Sequence, residues 1–153
     1  MVRGNWLMQD MVSIIDSFDD AIAITSLDGA IVFWNSAAKN LFGYKSTEAI
    51  GQSINMLSPS GQWANEPVIL KTISNGEKVP EHRVEMQSKN GKVIHISTTI
   101  YPINNKQGDV VGVFRVIQDI SEIKKIESNL SVLKKQVVAL AFEKEEKSKR
   151  AEG

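Results

Sequence analysis

One continuous stretch of this sequence, from Val110 to Leu140, places an apolar strand directly before a helical heptad repeat. The run VVGVFRVIQ at 110–118 is rich in β-branched residues and follows a polar turn segment, which predicts a strand. After Asp119, Ile120 and Ser121, the apolar residues alternate steps of three and four, as in a coiled-coil seam: Ile123, Ile126, Leu130, Leu133, Val137 and Leu140. Ser121 is suited to cap the helix. Because no loop separates strand from helix, we expect a change in the strand to reach the helix through the coupling segment 119–121.

The composition excludes several classes of protein. With 42% hydrophobic and 24% charged residues among 153, the chain is typical of a globular protein. Lys plus Arg and Asp plus Glu number 18 each, so the basic excess that nucleic-acid binding needs is missing. The lack of cysteine rules out disulfides and thiolate chemistry. The sequence has neither an apolar run of about eighteen residues nor a secretion signal, so we expect a cytoplasmic location and no membrane partner.

The remaining chain predicts short elements in an α+β order. An amphipathic helix is expected over residues 1–19, as a cap. Two strands flank the turn at 27–29, short helices follow between 36 and 73, and two more strands are joined by the hairpin signal Asn90-Gly91. With the strand at 110–118 this makes a five-stranded antiparallel domain over 20–120. The heptad helix and a charged tail occupy 121–153.

A series of short motifs follows this order along the chain: LDGxIxFxN at 27–35, AAxxLFGY at 37–44, ExxG at 48–51, GE at 76–77, KNG at 89–91, PI at 102–103 and DIS at 119–121. Taken together, the stretch from about residue 16 to residue 127 resembles a PAS domain of the sensor type, in which the last motif is usually Asp-Ile-Thr. The resemblance implies strand order 2-1-5-4-3, a pocket between the sheet and the short helices, and output through the C-terminal helix.

Period-two alternation sorts the strands into two faces, and the resemblance indicates which face lines the pocket. The predicted pocket residues are Phe33, His82, Met86, Ile96, Thr98, Val113, Arg115 and Ile117. A predicted apolar face on the other side, covered by the N-terminal helix or shared by two chains, comprises Leu7, Met11, Ile14, Phe18, Ile22, Ile24, Trp34, Phe114 and Val116. Whether the N-terminal helix or a second chain covers this face, we expect Trp34 to be buried.

Arg115 interrupts an otherwise apolar strand at a predicted inward position. A buried guanidinium needs a partner. With His82 and Thr98 it could form a polar site for a small molecule that carries a carboxylate. The alternatives are an internal acid as its partner, or a register that places Arg115 on the surface.

No cofactor, metal site or catalytic activity is predicted. The resemblance implies that a haem-binding member would have a histidine in the helix before strand three, and residues 68–73 contain none. Cysteine-type flavin sensors need the missing cysteine, and the positions that usually carry their Asn/Gln set are Met86, Ile96 and Ile117 here. Two histidines on different strands, without an acidic cluster, do not indicate a metal. No nucleophile–base or paired-carboxylate arrangement is evident.

The sequence therefore predicts a PAS sensory and dimerisation module of a signal-transduction protein, such as a two-component system. The heptad seam favours a homodimer, although the same stripe could pack on the domain's own sheet. Two other hypotheses are a constitutive interaction module whose core is filled by side chains, and a flavin or haem sensor of redox state or gases. The output domain or partner protein is not indicated.

Overall fold

The computed structural model describes the backbone of residues 3–152 and the side chains of residues 9–151. In chain order the elements are α1 (Arg3–Asp16), β1 (Ala21–Ser26), β2 (Ile31–Trp34), α2 (Ser36–Phe42), α3 (Ser46–Ala49), two 3₁₀ turns (Ile54–Leu57 and Trp63–Asn65), α4 (Pro67–Asn75), β3 (Val79–Gln87), β4 (Val93–Asn104), β5 (Val110–Asp119) and α5 (Ser121–Glu152). The predicted element order is confirmed.

The strands form one antiparallel sheet in the order β2-β1-β5-β4-β3, as predicted. Hairpins join β1 to β2 and β3 to β4, while the segment with the short helices carries the chain from one edge of the sheet to the other. β5 then returns to the centre, between β1 and β4. The central strand of the sheet is therefore the one that leads into the C-terminal helix.

The chain divides after Asp119 into two compact units. The first contains the sheet and the short helices, and the second contains Ile120 and α5. Ser121 is the first helical residue, and the carbonyl of Ile120 accepts the first helical hydrogen bond, from the amide of Lys124 at 2.9 Å. Ile120 therefore occupies the cap position that the sequence assigned to Ser121. None of the described helices has the length and apolar character needed to span a bilayer.

The second strand departs from simple alternation. Thr25 lies opposite Ile31, but Ile24 lies opposite Phe33 and Ala23 opposite Trp34, so the extra residue between Ile31 and Phe33 forms a bulge. A bulge reverses the faces of all residues beyond it. The assignment of Phe33 to the pocket and of Trp34 to the outer face is therefore wrong: Phe33 shares the face of Ile24, and Trp34 shares the inner face.

Trp34 is 4% exposed, as expected, but it is buried on the helix-covered side of the sheet. Its ring lies 5.6 Å from that of Phe42 on α2, and its indole N–H donates to the carbonyl of Tyr44 at 2.9 Å. Both contacts hold the α2–α3 connection against the sheet. The largest side chain of β2 thus belongs to the main core.

Asn35 links three elements at the start of the sheet. Its Oδ1 accepts from the amides of Ile22 and Ala38 at 2.8 and 3.0 Å, and its Nδ2 donates to the carbonyls of Asp20 and Ile15 at 3.0 and 3.2 Å. Asn35 is 1% exposed. One buried amide therefore caps α2 and holds the end of α1 against β1.

Candidate functional site

Arg115 is buried at the centre of the inner sheet face. It lies on β5 between Ala23 of β1 and Ile100 of β4, and it is 1% exposed. Its neighbours on the same face of β5, Val113 and Ile117, belong to two different apolar clusters. A single charged residue therefore lies between two apolar parts of the core, and the expected inward position of Arg115 agrees with the structure.

Two contacts hold the Arg115 guanidinium. Its Nη1 donates to the hydroxyl of Thr25 on β1 at 2.6 Å. Its central carbon lies 4.8 Å from the centroid of the Trp63 ring, which comes from the second 3₁₀ turn and is 1% exposed. A cation over an aromatic face is stabilised by about 0.5–2 kcal/mol, more when it is desolvated. The side chain is thus held between the sheet and the helical layer.

No carboxylate in the described part of the chain forms a salt bridge with Arg115, although the sequence left an internal acid as one alternative. Burial without a compensating negative charge lowers the pKa of the Arg115 guanidinium to about 10, because desolvation disfavours the charged form. Arg115 is still protonated at pH 7. The core therefore carries a positive charge that the described residues do not neutralise.

Three buried polar atoms near this charge have no hydrogen-bond partner among the described residues: Arg115 Nε, Thr98 Oγ1 and Trp63 Nε1. Thr98 lies on the inner face of β4, diagonal to Arg115, because Ile100 is the residue opposite Arg115. Burying such atoms without partners costs about 1–3 kcal/mol each. Two of them, the guanidinium Nε and the indole nitrogen, can only donate. The unsatisfied groups therefore favour a partner that accepts hydrogen bonds.

His82 does not contact Arg115. His82 lies on the edge strand β3, opposite Thr98 of β4. Its Nε2 is 2.9 Å from Oε2 of Glu66, the residue that precedes α4. Both side chains are partly exposed, at 23% and 31%. The polar site expected from His82, Thr98 and Arg115 is thus divided: Thr98 and Arg115 are buried in the core, and His82 forms a separate pair with Glu66 at its margin.

The other predicted pocket residues are apolar and buried on the inner face. None of them is more than 1% exposed: Met86, Ile96, Val113 and Ile117. Trp63 had no predicted role, although a tryptophan in an otherwise polar, turn-rich segment was a usable signal. The hydrogen bond between Arg115 and Thr25 was not predicted either.

The outer face is less completely covered. Ile22 is fully buried, whereas Ile24, Phe114 and Val116 are half-buried. The side chains of Met11 and Ile14 on α1 and of Phe18, two residues after its end, are 58%, 55% and 49% exposed, and the side chain of Leu7 lies outside the described residues. Most of the stripe on α1 therefore faces solvent in the single chain.

The heptad residues of α5 are exposed along their whole length. Their exposed fractions range from 46% to 64%, and they are Ile123, Ile126, Leu130, Leu133, Val137 and Leu140. The helix is 32 residues long, about nine turns. The apolar stripe occupies about five of these turns, from Ile123 to Leu140. Such a stripe on an exposed helix normally packs on another helix.

The sequence and the fold of this chain are similar to those of several known proteins. The family model described as PAS domain matches residues 19–122. Over 109 residues the chain is 25% identical to the cyclic di-GMP phosphodiesterase PdeB of Shewanella oneidensis, covering 71% of this chain and 12% of that protein. Over 118 residues it is 23% identical to the signal transduction histidine-protein kinase AtoS of Escherichia coli, covering 77% and 19%. The chain therefore spans less than a fifth of either curated relative.

Several solved structures have the same fold as this chain. The crystal structure of a PAS domain from Colwellia psychrerythraea superposes with a TM-score of 0.67 at 30% identity, covering 76% of this chain and 98% of that one. An RNA-binding light-oxygen-voltage receptor superposes with a TM-score of 0.74 over 89% of this chain and 39% of its own, but its 20% identity shows the fold alone. Because the family model covers more than half of the sequence and the Colwellia domain aligns over almost its full length, this chain belongs to the PAS domain family.

Proposed function

We propose that the chain is a cytoplasmic sensory and dimerisation module of a signal-transduction protein, without catalytic activity of its own. It binds a small organic ligand on the inner face of the sheet and passes the change to α5. Relatives of this PAS domain occur in a phosphodiesterase and in a histidine kinase, of which it matches only 12% and 19%. Most of the length of each of these two proteins therefore lies outside the part that resembles this chain.

The observation that carries this proposal is the chain connection between the buried site and the helix. Arg115 lies on β5, β5 ends at Asp119, and α5 begins at Ser121. Only Ile120, which is 3% exposed, separates them. Because a single residue lies between β5 and α5, we expect a shift of β5 to reach the first turn of α5. A ligand changes the helix arrangement only by its difference in affinity for the two states.

Homodimerisation through α5 is the second part of the proposal. The exposed heptad residues have β-branched side chains or leucine at a and leucine or isoleucine at d, a composition suited to a parallel two-stranded coil. The test uses two neighbouring valines of similar exposure, 63% for Val137 in the seam and 55% for Val138 outside it. We expect Val137→Glu to weaken dimerisation at least about tenfold and Val138→Glu to leave it unchanged, by size-exclusion chromatography with light scattering.

If Val137→Glu and Val138→Glu behave alike, the seam does not mediate assembly. A chain shortened to residues 1–120 provides a further comparison, because it lacks the helix and should be monomeric. If the shortened and the full-length chain have the same oligomeric state, α5 does not mediate dimerisation.

The relay itself is tested by a distance between two copies. The natural chain has no cysteine, so Ser128→Cys accepts a single spin label at an f position of the heptad. A thermal-shift screen of charged and neutral small molecules first identifies compounds that stabilise the protein. The distance between the two spin labels is then measured by electron paramagnetic resonance with and without each of these compounds. A changed distance distribution supports sensing. Compounds that bind without changing it, or a screen without binders, favour the constitutive interaction module.

A further inference from the structure

We propose that Arg115, Thr98 and Trp63 form a recognition site for a small organic carboxylate, an inference that rests on the proposed sensory function and names its ligand class. Each of the three residues is no more than 1% exposed, and each has a polar atom without a partner among the described residues. The atoms come from β5, β4 and the 3₁₀ turn at Trp63–Asn65. A ligand between the sheet and the helical layer would meet all three elements.

The positive charge of Arg115 favours an anionic ligand. Thr25 is neutral and Trp63 offers only its ring face, so the two contacts that hold Arg115 supply no negative charge. A buried cation is costly unless it is paired with an anion. Because no carboxylate of the described chain pairs with Arg115, an anion from outside would remove this cost. A neutral ligand would leave the charge unpaired.

The hydrogen-bonding chemistry selects a carboxylate. Arg115 Nε and Trp63 Nε1 donate only, and the Thr98 hydroxyl can also donate. A carboxylate offers about four acceptor positions on two oxygens and no donor. Its hydrogen bonds to a guanidinium are charge-assisted and roughly twice as strong as neutral ones. One carboxylate group can therefore satisfy several of the unpartnered donors, whereas an amide would add N–H groups to a site that already has too many.

Glu66 is the acidic side chain nearest in sequence to Trp63, and it does not neutralise the site. Its carboxylate is 2.9 Å from His82 Nε2. The pair lies at the partly exposed margin, because the two side chains are 31% and 23% exposed. The positive charge of Arg115 thus remains available to a ligand.

The test compares acids with their own amides. Benzoate, phenylacetate and succinate are titrated into the full chain by isothermal titration calorimetry, alongside benzamide, phenylacetamide and succinamide. We expect at least one of the acids to bind at least about tenfold more tightly than its amide, because the charge-assisted hydrogen bonds of a carboxylate to a guanidinium are roughly twice as strong as those of a neutral group. If none of the three acids binds, or the amides bind equally well, the carboxylate site is wrong.

Variants locate the binding. Arg115→Met keeps an unbranched, apolar stem and removes the guanidinium with its charge, so the acid should bind at least about tenfold more weakly. Thr98→Val keeps the shape and removes one hydroxyl, so it tests the site even where Arg115→Met does not fold. Lys92→Gln removes an exposed cation outside the core and should bind as the natural chain does. Unchanged affinity in Arg115→Met, or in Thr98→Val, overturns the proposal.

The outcomes for this site and for the sensory function are separable. Neutral compounds that bind and change the Ser128→Cys spin-label distance, together with no binding of the acids, would support sensing and reject the carboxylate site. Acids that bind through Arg115 without changing that distance would support the site and reject the relay.

Discussion

Arg115 on β5 donates a hydrogen bond of 2.6 Å to the hydroxyl of Thr25 on β1, and the two residues are 90 positions apart in the sequence. The bond joins two central strands on the inner face of the sheet. It gives the guanidinium a polar partner but no counter-charge. The arrangement is therefore better suited to holding the side chain in position than to stabilising the fold.

Replacing Arg115 with methionine should not destabilise the protein in the absence of added carboxylates. A buried charge without a counter-charge is costly, and even buried ion pairs can often be replaced by apolar residues of similar volume with a neutral effect or a gain of about 1–4 kcal/mol. We expect the Tm of Arg115→Met, measured by differential scanning calorimetry, to equal or exceed that of the natural chain. A clear decrease would mean that the contacts to Thr25 and Trp63 outweigh the cost of burial.

The difference between the natural chain and Arg115→Met should depend on pH above neutrality. Burial lowers the pKa of Arg115 well below its ordinary value, to about 10, so the folded state binds this proton less tightly than the unfolded state. The resulting cost is fully present below pH 10 and decreases as the pH rises above 10. Urea unfolding of both proteins at pH 7, 9 and 10.5 should show a constant difference up to about pH 9 and a shift in favour of the natural chain at 10.5.

The bulge in β2 predicts unequal effects at two neighbouring aromatic residues. Trp34 is 4% exposed and packs on Phe42, whereas Phe33 is only half-buried on the other face. We expect Trp34→Ala to lower the free energy of unfolding by about 3–5 kcal/mol, and Phe33→Ala to lower it by clearly less. Chemical denaturation of both variants provides the measurement. The opposite order would restore the simple alternation expected from the sequence.

The buried amide of Asn35 should matter more than its sequence position suggests. Asn35→Ala removes four hydrogen bonds and leaves buried backbone groups of β1 and α2 without partners. The expected loss is about 2–4 kcal/mol, given about 1–3 kcal/mol for each unsatisfied group and partial replacement by water. Asn40→Ala, at an exposed position on the same helix, is the control and should change stability by less than about 0.5 kcal/mol. Similar urea midpoints for the two variants would show that this network contributes little.

A side chain at Gly112 should disturb the β1–β5 pair. A Cβ built at this position lies 2.8 Å from the backbone oxygen of Thr25, a distance that requires the strands to move apart. We expect Gly112→Ala to cost about 1–3 kcal/mol, while Val111→Ala, at a 46% exposed neighbour, changes stability much less. Equal effects in thermal unfolding would indicate that the strands adjust without strain.

Local chemistry was sufficient to predict much of this molecule. Asn90-Gly91 specifies a tight hairpin wherever it stands between two strands, and the heptad from Ile123 to Leu140 specifies a helix with one apolar stripe. Alternation together with the PAS resemblance predicted the inward position of Arg115, and the prediction agrees with the structure because β5 has no bulge between Val113 and Ile117. These features depend on residues close to one another in the chain.

Tertiary packing decided the rest. The bulge between Ile31 and Phe33 depends on pairing with β1 and reverses the faces of Phe33 and Trp34, which no alternation rule could reveal. Arg115 contacts Thr25 and Trp63, which lie 90 and 52 positions earlier in the chain. Only the folded sheet and the 3₁₀ turn bring these residues together. The sequence by itself determined that one charged residue, Arg115, interrupts the apolar central strand of this PAS domain. Contacts between distant segments decided which groups surround that charge, and none of the described groups neutralises it. Short-range propensities do not encode the geometry of such contacts.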